Sequence, residues 1–560
     1  MRQTMSSDRP KFLLIGMDGA DWDILEPFIE QGKLPVLKEL MDRGSHAVMR
    51  STIPPLTPCA WSTMYTGVNP GKHGVFDFAD YLCGQDSIKL TNGGSRRCKT
   101  LMQLCSEAGM SIGVLNAPWT YPPDELDGYV VSGMDTPEFG PDMANPRSVF
   151  DEITDLVGEY KIEPTRELWL RDEPYAEEVD EEIEKLTKVA TWLMKNRPTD
   201  VFMMVFLITD LVQHGFIGDR SLQSTSGKRY DDLVLHTYQL VDAAIGEMME
   251  TAGDDVPVVL MSDHGGAPFE RFVILDALFR ELGFLKLEEQ HASLKERVRK
   301  SLWNLGYRIK AMLPDAWLNR IRKSGARVRE AITKDLAPPE MDWSSTVAVP
   351  MPSFGMIRVN LKGRDPVGIV EPGEEYEKTC DRIAQALLDY KDPLDGRQIF
   401  SEVLRGTDVY HGPNMEWAPD LIAIPPSTRF HTFSPAATDE KAMNALRPAV
   451  VPRDPTFTGT HSPNGILIAS GPGFAARGRI EQKQMQDFAP TVLAALGVPI
   501  PGYTDGRVME EIFTDGFFAA DEPLWDETAT LEKSETQGDS PYSGEETEAV
   551  EQRLRDLGYM

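Results

Sequence analysis

The sequence predicts a wound α/β fold, in which helices cover both faces of a mostly parallel central sheet. Short apolar runs end abruptly at acidic residues, as the buried strands of such a sheet do, and they lie at Phe12–Met17, Val201–Ile208 and Val256–Met261. Amphipathic helical patterns separate these runs, at 23–43 and 230–251. An alternation of strands and helices is typical of parallel sheets with both faces covered.

The pattern becomes less regular after 266, and we expect 267–450 to form an inserted cap or second lobe. Predicted elements of this lobe are helices at 272–285 and 374–390, β-structure at 346–361 and a strand at 421–424. A buried strand at 465–470 and a closing helix at 487–496 then return to the sheet.

These elements divide the chain into three parts. The core comprises 10–266 and 451–513, and the lobe lies between its two segments. The last part, 514–560, is acidic and poor in apolar residues, which predicts a flexible tail with one amphipathic helix at 545–557.

Composition excludes several classes of protein. The chain has 560 residues and a formal net charge of −31, and an acidic surface of this size argues against binding of a nucleic-acid duplex. Five cysteines form no CxxC pair, which is typical of a reducing compartment. No apolar stretch reaches the length of a membrane span, and the polar N-terminus lacks a signal-peptide pattern. We therefore expect a cytoplasmic protein without a transmembrane segment.

Acidic residues follow three of the predicted strands. Asp18 ends the first run, Asp210 the second and Asp263 the third. Ligands of wound sheets bind beyond the carboxyl ends of the strands, so these carboxylates share one edge of the sheet. A single such aspartate is commonly a helix cap or a turn residue, but three at one edge favour a functional site.

Histidines accompany these acids. His214 comes four residues after Asp210, His264 directly follows Asp263, and His461 precedes the last core strand. Each histidine alone is better explained as an ordinary hydrogen-bonded residue. Together with the carboxylates they favour a site for zinc, manganese or iron.

A hydroxyl group completes the pattern at Thr57, which Pro58 and a helical run at 60–65 follow. One interpretation is a simple helix cap, with the proline at the first helical position. The other places the hydroxyl where a helix N-terminus stabilises a phosphate or an alkoxide. The sequence leaves both open.

In this order the motifs resemble the alkaline phosphatase superfamily, and most of all its type I phosphodiesterase/nucleotide pyrophosphatase branch. The motifs are Asp18, Thr57 with TGxxPxxHG at 66–74, Asp210xxxHis214, Asp263-His264-Gly265 and His461. The resemblance covers 11–266 and 459–507 and implies an alkaline-phosphatase-like three-layer sandwich.

The resemblance also implies a mechanism and a ligand set. Thr57 corresponds to a metal-bound nucleophile that attacks phosphodiester or pyrophosphate bonds in line and forms a phospho-threonyl intermediate. Two divalent ions are implied, with zinc expected and manganese as the alternative. The ligands of one ion are Asp18, Asp263, His264 and Thr57, and those of the other are Asp210, His214 and His461.

One position departs from the family pattern. Phe78 stands where nucleotide pyrophosphatases have an asparagine that binds the phosphoryl group. The replacement donor is then either backbone N–H near Thr57 or a side chain such as Asn116. Two alternatives to a phosphodiesterase stay open: a phosphomonoesterase or phosphomutase-like enzyme on the same site, and an inactive, metal-stabilised binding protein.

A basic segment at 292–334 contrasts with the acidic chain. It has twelve Lys and Arg against three acids, and aromatic residues lie between them. The simpler interpretation is a solvated helix face. The alternative is a lid that recruits the anionic phosphate-ester substrate or makes peripheral contact with a membrane surface.

Overall fold

We describe the fold from a computed structural model. The structure describes residues 11–84, 89–159, 173–218, 222–223, 229–230, 232–253, 255–288, 341–434, 448–453, 457–518, 522–531 and 542–556. The basic segment at 292–334 lies outside these residues. Among the described helices, none is both long and apolar enough to cross a membrane.

A ten-stranded sheet forms the centre of the protein. The strands that run from Val258–Met261 to Gly128–Ser132 across the sheet are parallel, and Asn464–Ser470 is antiparallel to its neighbours. In spatial order the strands are Gly478–Arg479, Gly44–Arg50, Asn464–Ser470, Val258–Met261, Phe12–Met17, Val201–Phe206, Ile112–Ala117, Gly128–Ser132 and Ala144–Asn145, with Lys483–Gln484 also beside Gly44–Arg50.

The first strand shows why both faces of the sheet are covered. Every residue of Phe12–Met17 is buried, and successive side chains point to opposite faces. Leu13 and Ile15 belong to one hydrophobic cluster, whereas Phe12 and Leu14 belong to another. Two separate cores therefore lie on the two sides of the sheet, and the predicted three-layer α/β sandwich is confirmed.

Helices supply the outer layers, and one prediction is corrected in detail. The single helix expected at 23–43 is two helices, because the chain turns at Gly32 (φ 69°) and the second helix begins at Pro35. The described helices are Trp22–Glu30, Pro35–Arg43, Thr57–Thr66, Pro70–His73, Leu101–Glu107, Ser148–Val157, Glu173–Asn196, Ile208–Phe216, Leu233–Ala252, Leu275–Leu282, Glu374–Asp389, Gly406–Val409, Phe488–Leu496 and Gly544–Asp556.

The described residues also form six smaller sheets. The helix expected at 272–285 starts later, because 271–274 is a strand. The division into core, lobe and tail stays a prediction. The smaller sheets are Phe430–Phe433 with Arg271–Ile274 and Val450–Pro452; Ala348–Pro350 with Met356–Val359, Leu421–Ile424 and Glu402–Arg405; Gly265–Pro268 with Gly459–Ser462; Ala79–Asp80 with Lys89–Leu90; Leu222–Gln223 with Arg229–Tyr230; and Ile500–Pro501 with Trp525–Asp526.

The helix Gly544–Asp556 packs on the core. The Tyr542 hydroxyl, just before it, donates to the carbonyl of Asp135 at 2.7 Å, and its ring stacks on Tyr121 with 5.7 Å between centroids. Leu554 is buried. This end of the chain is therefore held by polar and apolar contacts at once.

Arg553 gives a test of that attachment. Its guanidinium donates to the carbonyls of Met134 and Thr136 at 2.5 and 2.7 Å. We expect Arg553→Ala to lower the free energy of unfolding by about 1–3 kcal/mol, since hydrogen bonds to a charged group are lost. Thermal unfolding with limited proteolysis measures the change. Arg397→Ala, at an exposed side chain 3.8 Å from Asp395, is the control; equal shifts in the two variants would contradict the expectation.

Candidate active site

The predicted acids meet at the carboxyl edge of adjacent parallel strands. Asp18 follows Phe12–Met17, and Asp263 comes two residues after Val258–Met261. Asp210 lies in the first turn of Ile208–Phe216, the helix that follows the strand Val201–Phe206. All three side chains are buried, at 0–1% exposure. The wound topology thus brings together carboxylates that lie far apart in the sequence.

The first group of potential metal ligands consists of Asp18, Asp263 and His264, whose ligand atoms lie within 4.8 Å of one another. His264 Nε2 is 3.2 Å from Asp263 Oδ2 and 3.7 Å from Asp18 Oδ1. The hydroxyl of Thr57 approaches the same nitrogen, with Oγ1 at 3.2 Å.

The second group consists of Asp210, His264 and His461, again within 4.8 Å of one another. His214, one turn after Asp210 on the same helix, is next to it: its Nε2 lies 3.1 Å from Asp210 Oδ2 and 3.1 Å from His461 Nε2. The rings of His264 and His461 stack at 3.6 Å between centroids. The structure therefore brings every predicted site residue into one cluster, and His264 belongs to both groups of potential ligands.

Thr57 is not a helix cap. The capping residue of Thr57–Thr66 is Leu56, and no side chain makes a capping hydrogen bond there. The hydroxyl of Thr57 instead faces His264, at the end of the helix where the backbone N–H groups have no partner within the helix. Of the two interpretations left open by the sequence, the geometry favours the second.

Hydrogen bonds to the backbone orient all three histidines. A carbonyl only accepts, so each Nδ1 donates to the backbone, and each Nε2 is turned toward the cluster. This arrangement is typical of metal-binding histidines. The pairs are His264 Nδ1 with Gly265 at 3.1 Å, His214 Nδ1 with Gly459 at 3.1 Å and His461 Nδ1 with Pro55 at 2.7 Å.

Two carboxylates also point one oxygen inward. Asp18 Oδ1 and Asp263 Oδ2 are buried and have no hydrogen-bond partner among the described residues. Their other oxygens are bound by protein donors, Trp61 Nε1 at 2.8 Å and the Gly19 N–H at 3.3 Å. Buried lone pairs facing one another are costly unless a cation or a proton lies between them. The residues therefore fit divalent cations with oxygen and nitrogen ligands.

The pKa values of the carboxyl groups in the metal-free protein also indicate a site that favours cations. Burial, reinforced by the charge of Asp263, raises the pKa of Asp18 well above its usual value, and burial raises the pKa of Asp263 to about 6. Burial alone would also raise the pKa of Asp210, but His214 outweighs it and holds that pKa low. A bound cation favours the ionised form of every carboxylate here.

The donor that replaces the family's asparagine stays open. Phe78, at that position, packs edge-on against Trp119 with 5.4 Å between centroids. The amide of Asn116 donates to the carbonyl of Val205 at 3.0 Å. This bond uses one of the two N–H groups of the Asn116 amide, so Asn116 stays a candidate donor beside backbone N–H near Thr57.

Sequence reasoning missed aromatic residues of the site, among them Trp61 and Phe354. Trp61 donates to Asp18 and lies four residues after Thr57, so helical periodicity could have found it. Phe354 stacks on His461 with 5.0 Å between ring centroids and has a positive φ of 44°. No motif marks Phe354, because it comes from a loop of the predicted lobe. A strained backbone at such a place is typical of functional sites.

Fold and site together define a metal-dependent phosphoesterase of the alkaline phosphatase superfamily. The family model of type I phosphodiesterase/nucleotide pyrophosphatase matches residues 12–463, and the chain belongs to this family. The match spans the predicted ligands from Asp18 to His461.

Solved structures with a similar fold include ectonucleotide pyrophosphatase/phosphodiesterase 5 from mouse and from human. Their TM-scores are both 0.47, with 12% identity to the murine and 13% to the human protein. An inactive variant of the murine protein in complex with AMP has a TM-score of 0.48 and 12% identity. Each alignment covers 90% of this chain and 100% of the other chain. No curated protein matches the sequence.

Proposed function

We propose that this phosphodiesterase cleaves phosphodiester or pyrophosphate bonds with Thr57 as its nucleophile and with two divalent cations, zinc being the expected metal. The observation that carries the proposal is the contact of 3.2 Å between Thr57 Oγ1 and Nε2 of His264, the residue shared by both groups. A threonine hydroxyl is a weak nucleophile, so it needs activation by a metal ion or a base, and the contact with His264 places it where a metal could provide this.

The residues have distinct tasks in this proposal. Bound cations would supply positive charge that activates the Thr57 hydroxyl and offsets charge on the phosphoryl group. Thr57 Oγ gives up its proton and attacks phosphorus in line, while the bond from phosphorus to the alcohol or phosphate on the opposite side breaks and that group leaves with the electron pair. Water then adds to phosphorus and the Oγ–P bond breaks, which restores the Thr57 hydroxyl and releases the phosphate product. The residues that hold the cations are Asp18, Asp263 and His264 on one side and Asp210, His214 and His461 on the other.

Phe354 packs against His461. Its ring stacks on the imidazole of His461 at 5.0 Å between centroids, and the same imidazole stacks on His264 at 3.6 Å. Ser353, the preceding residue, donates to Asp77 Oδ1 at 2.7 Å and fastens this loop to the segment that carries Phe78. Phe354 therefore packs directly against one of the proposed metal ligands.

A panel of model esters tests the proposal. The chelated protein is expected to be inactive and to regain activity with zinc, more than with magnesium, since nitrogen ligands favour zinc. We expect kcat/KM for bis(4-nitrophenyl) phosphate to exceed that for 4-nitrophenyl phosphate by about tenfold or more, a difference of about 1.4 kcal/mol in the barrier.

The same panel separates the alternatives. A preference for the monoester would favour the phosphomonoesterase or phosphomutase-like enzyme. A protein that binds zinc and hydrolyses no ester, with zinc, manganese or magnesium, would be the metal-stabilised binding protein. Cytoplasmic location and the contact of 292–334 with substrate or membrane stay predictions.

A further inference from the structure

The indole of Trp61 holds one of the two oxygens of Asp18. Trp61 Nε1 donates to Asp18 Oδ2 at 2.8 Å, and both side chains are fully buried. The other oxygen, Oδ1, faces His264 at 3.7 Å and has no hydrogen-bond partner among the described residues. The hydrogen bond thus fixes which oxygen is turned toward the cluster.

The surrounding backbone makes room for this indole. A Cβ atom at Gly16 would lie 2.6 Å from Trp61 Cη2, closer than atoms approach in proteins. Gly16 belongs to the central strand that ends just before Asp18. The absence of a side chain at Gly16 therefore lets the ring reach under the strand to the carboxylate.

One helix brings both groups to the site. Thr57 is the first residue of Thr57–Thr66, and Trp61 follows it by four residues, which places both on the same face of the helix. The Thr57 hydroxyl contacts His264, and the Trp61 indole contacts Asp18. A shift of this helix would move the hydroxyl and the donor to Asp18 together.

We propose that Trp61 is a positioning residue, whose indole N–H orients Asp18 for the cation next to Thr57. The inference rests on the proposed function in taking Asp18 as a metal ligand. Partners that hydrogen-bond to a metal ligand restrict its orientation, and their loss weakens metal affinity by about 10–100-fold. Trp61 acts through Asp18 and does not touch the substrate.

The test measures zinc binding rather than turnover. Trp61→Phe removes the N–H donor, and titration of the metal-free protein with zinc against a competing chelator gives both dissociation constants. We expect the weaker binding, by about 10–100-fold, to affect one ion only. Unchanged dissociation constants would overturn the proposal.

Trp22→Phe is the matched control. Trp22 is also buried, and its Nε1 also donates at 2.8 Å, but to the backbone carbonyl of Ala47. The control loses an equivalent hydrogen bond without touching a carboxylate, so its zinc constants are expected to match the wild type. Equal losses in both variants would show general damage to the core and overturn the proposal.

A second variant covers the case in which Trp61→Phe does not fold. Benzothienylalanine at position 61 keeps the bicyclic shape and lacks only the N–H donor. Weaker zinc binding in this protein supports the proposal, and wild-type binding overturns it. Wild-type protein that binds zinc but hydrolyses no ester contradicts the proposed function alone, because the comparison at Trp61 uses zinc affinity.

Discussion

Thr57→Ala is expected to reduce turnover of a phosphodiester by about 10⁴-fold or more, since loss of the attacking atom leaves only binding and charge stabilisation. The remaining ligands of both groups stay in place, so zinc content, measured by elemental analysis of the purified variant, is expected to stay near that of the wild type. Steady-state kinetics with bis(4-nitrophenyl) phosphate give the rate.

Two variants control this experiment. Thr57→Ser keeps a hydroxyl at the same place and is expected to retain turnover. Thr66→Ala changes a buried threonine at the other end of the same helix, where the hydroxyl donates to the carbonyl of Ser62 at 2.7 Å. We expect it to cost little activity. A Thr57→Ala enzyme with near-normal turnover would show that the nucleophile is another group.

The core of the fold was predictable because its strands are buried on both faces. Phe12–Met17 is apolar throughout, so its limits can be read directly from the sequence, and the structure has the same limits. The run from Val201 extends to Ile208 in the sequence, whereas the strand stops at Phe206 and Ile208 begins a helix. An apolar run cannot distinguish these two states where both are buried.

The site was predictable in its composition but not in its contacts. Asp210 and His214 come to one face by helical spacing alone, which the sequence shows. That His264 stands between the two groups depends on how the strand ends and the short strand with His461 are arranged in space. Such distances come from packing over hundreds of residues, and no local pattern encodes them.

Phe354 shows most clearly what the sequence patterns do not predict. The two residues that flank Phe354 hold its loop in place. Ser353 donates a hydrogen bond to Asp77, and Gly355 lies so close to the next strand that a Cβ atom would be 2.3 Å from the carbonyl oxygen of Ala423. The sequence around it carries no periodicity and no metal-ligand spacing. Only the assembled structure shows that an aromatic ring packs against His461 here.

The buried carboxylates of the cluster favour binding of cations but lower the stability of the metal-free protein. Asp18, Asp210 and Asp263 are buried close together. The charges of Asp263 and Asp210 oppose ionisation of Asp18, and the charge of Asp210 opposes ionisation of Asp263. Binding of divalent ions to the folded state removes this repulsion and therefore stabilises the fold by linkage. Removing one acid should have opposite effects on function and on metal-free stability.

Asp263→Asn is accordingly expected to lose turnover and one tightly bound zinc, yet to stabilise the chelated protein by about 1–3 kcal/mol at neutral pH. The amide keeps an oxygen for the Gly19 N–H, and its NH₂ group takes the place of Oδ2, 3.2 Å from His264 Nε2. Calorimetry in excess chelator measures the stability, and zinc titration measures the affinity.

The pH dependence identifies the cause of that stabilisation. Burial raises the pKa of Asp263 to about 6, above the value of 3.8 that the unfolded chain has. The folded protein therefore prefers the neutral acid, and stability is lost as the pH rises from about 4 to about 6. The advantage of Asp263→Asn should thus be small at pH 4, grow to pH 6 and stay constant above it.

Asp242→Asn serves as the matched control for Asp263→Asn. Asp242 is a buried carboxylate whose oxygens accept from the N–H groups of Val36 and Leu37 at 3.1 and 2.8 Å. Its conversion to an amide replaces a needed acceptor by a donor, so we expect this variant to keep its turnover and to be less stable than the wild type. If Asp263→Asn also destabilises the chelated protein at pH 7, the carboxylate is held there by favourable contacts and the cluster is not a site that needs cations.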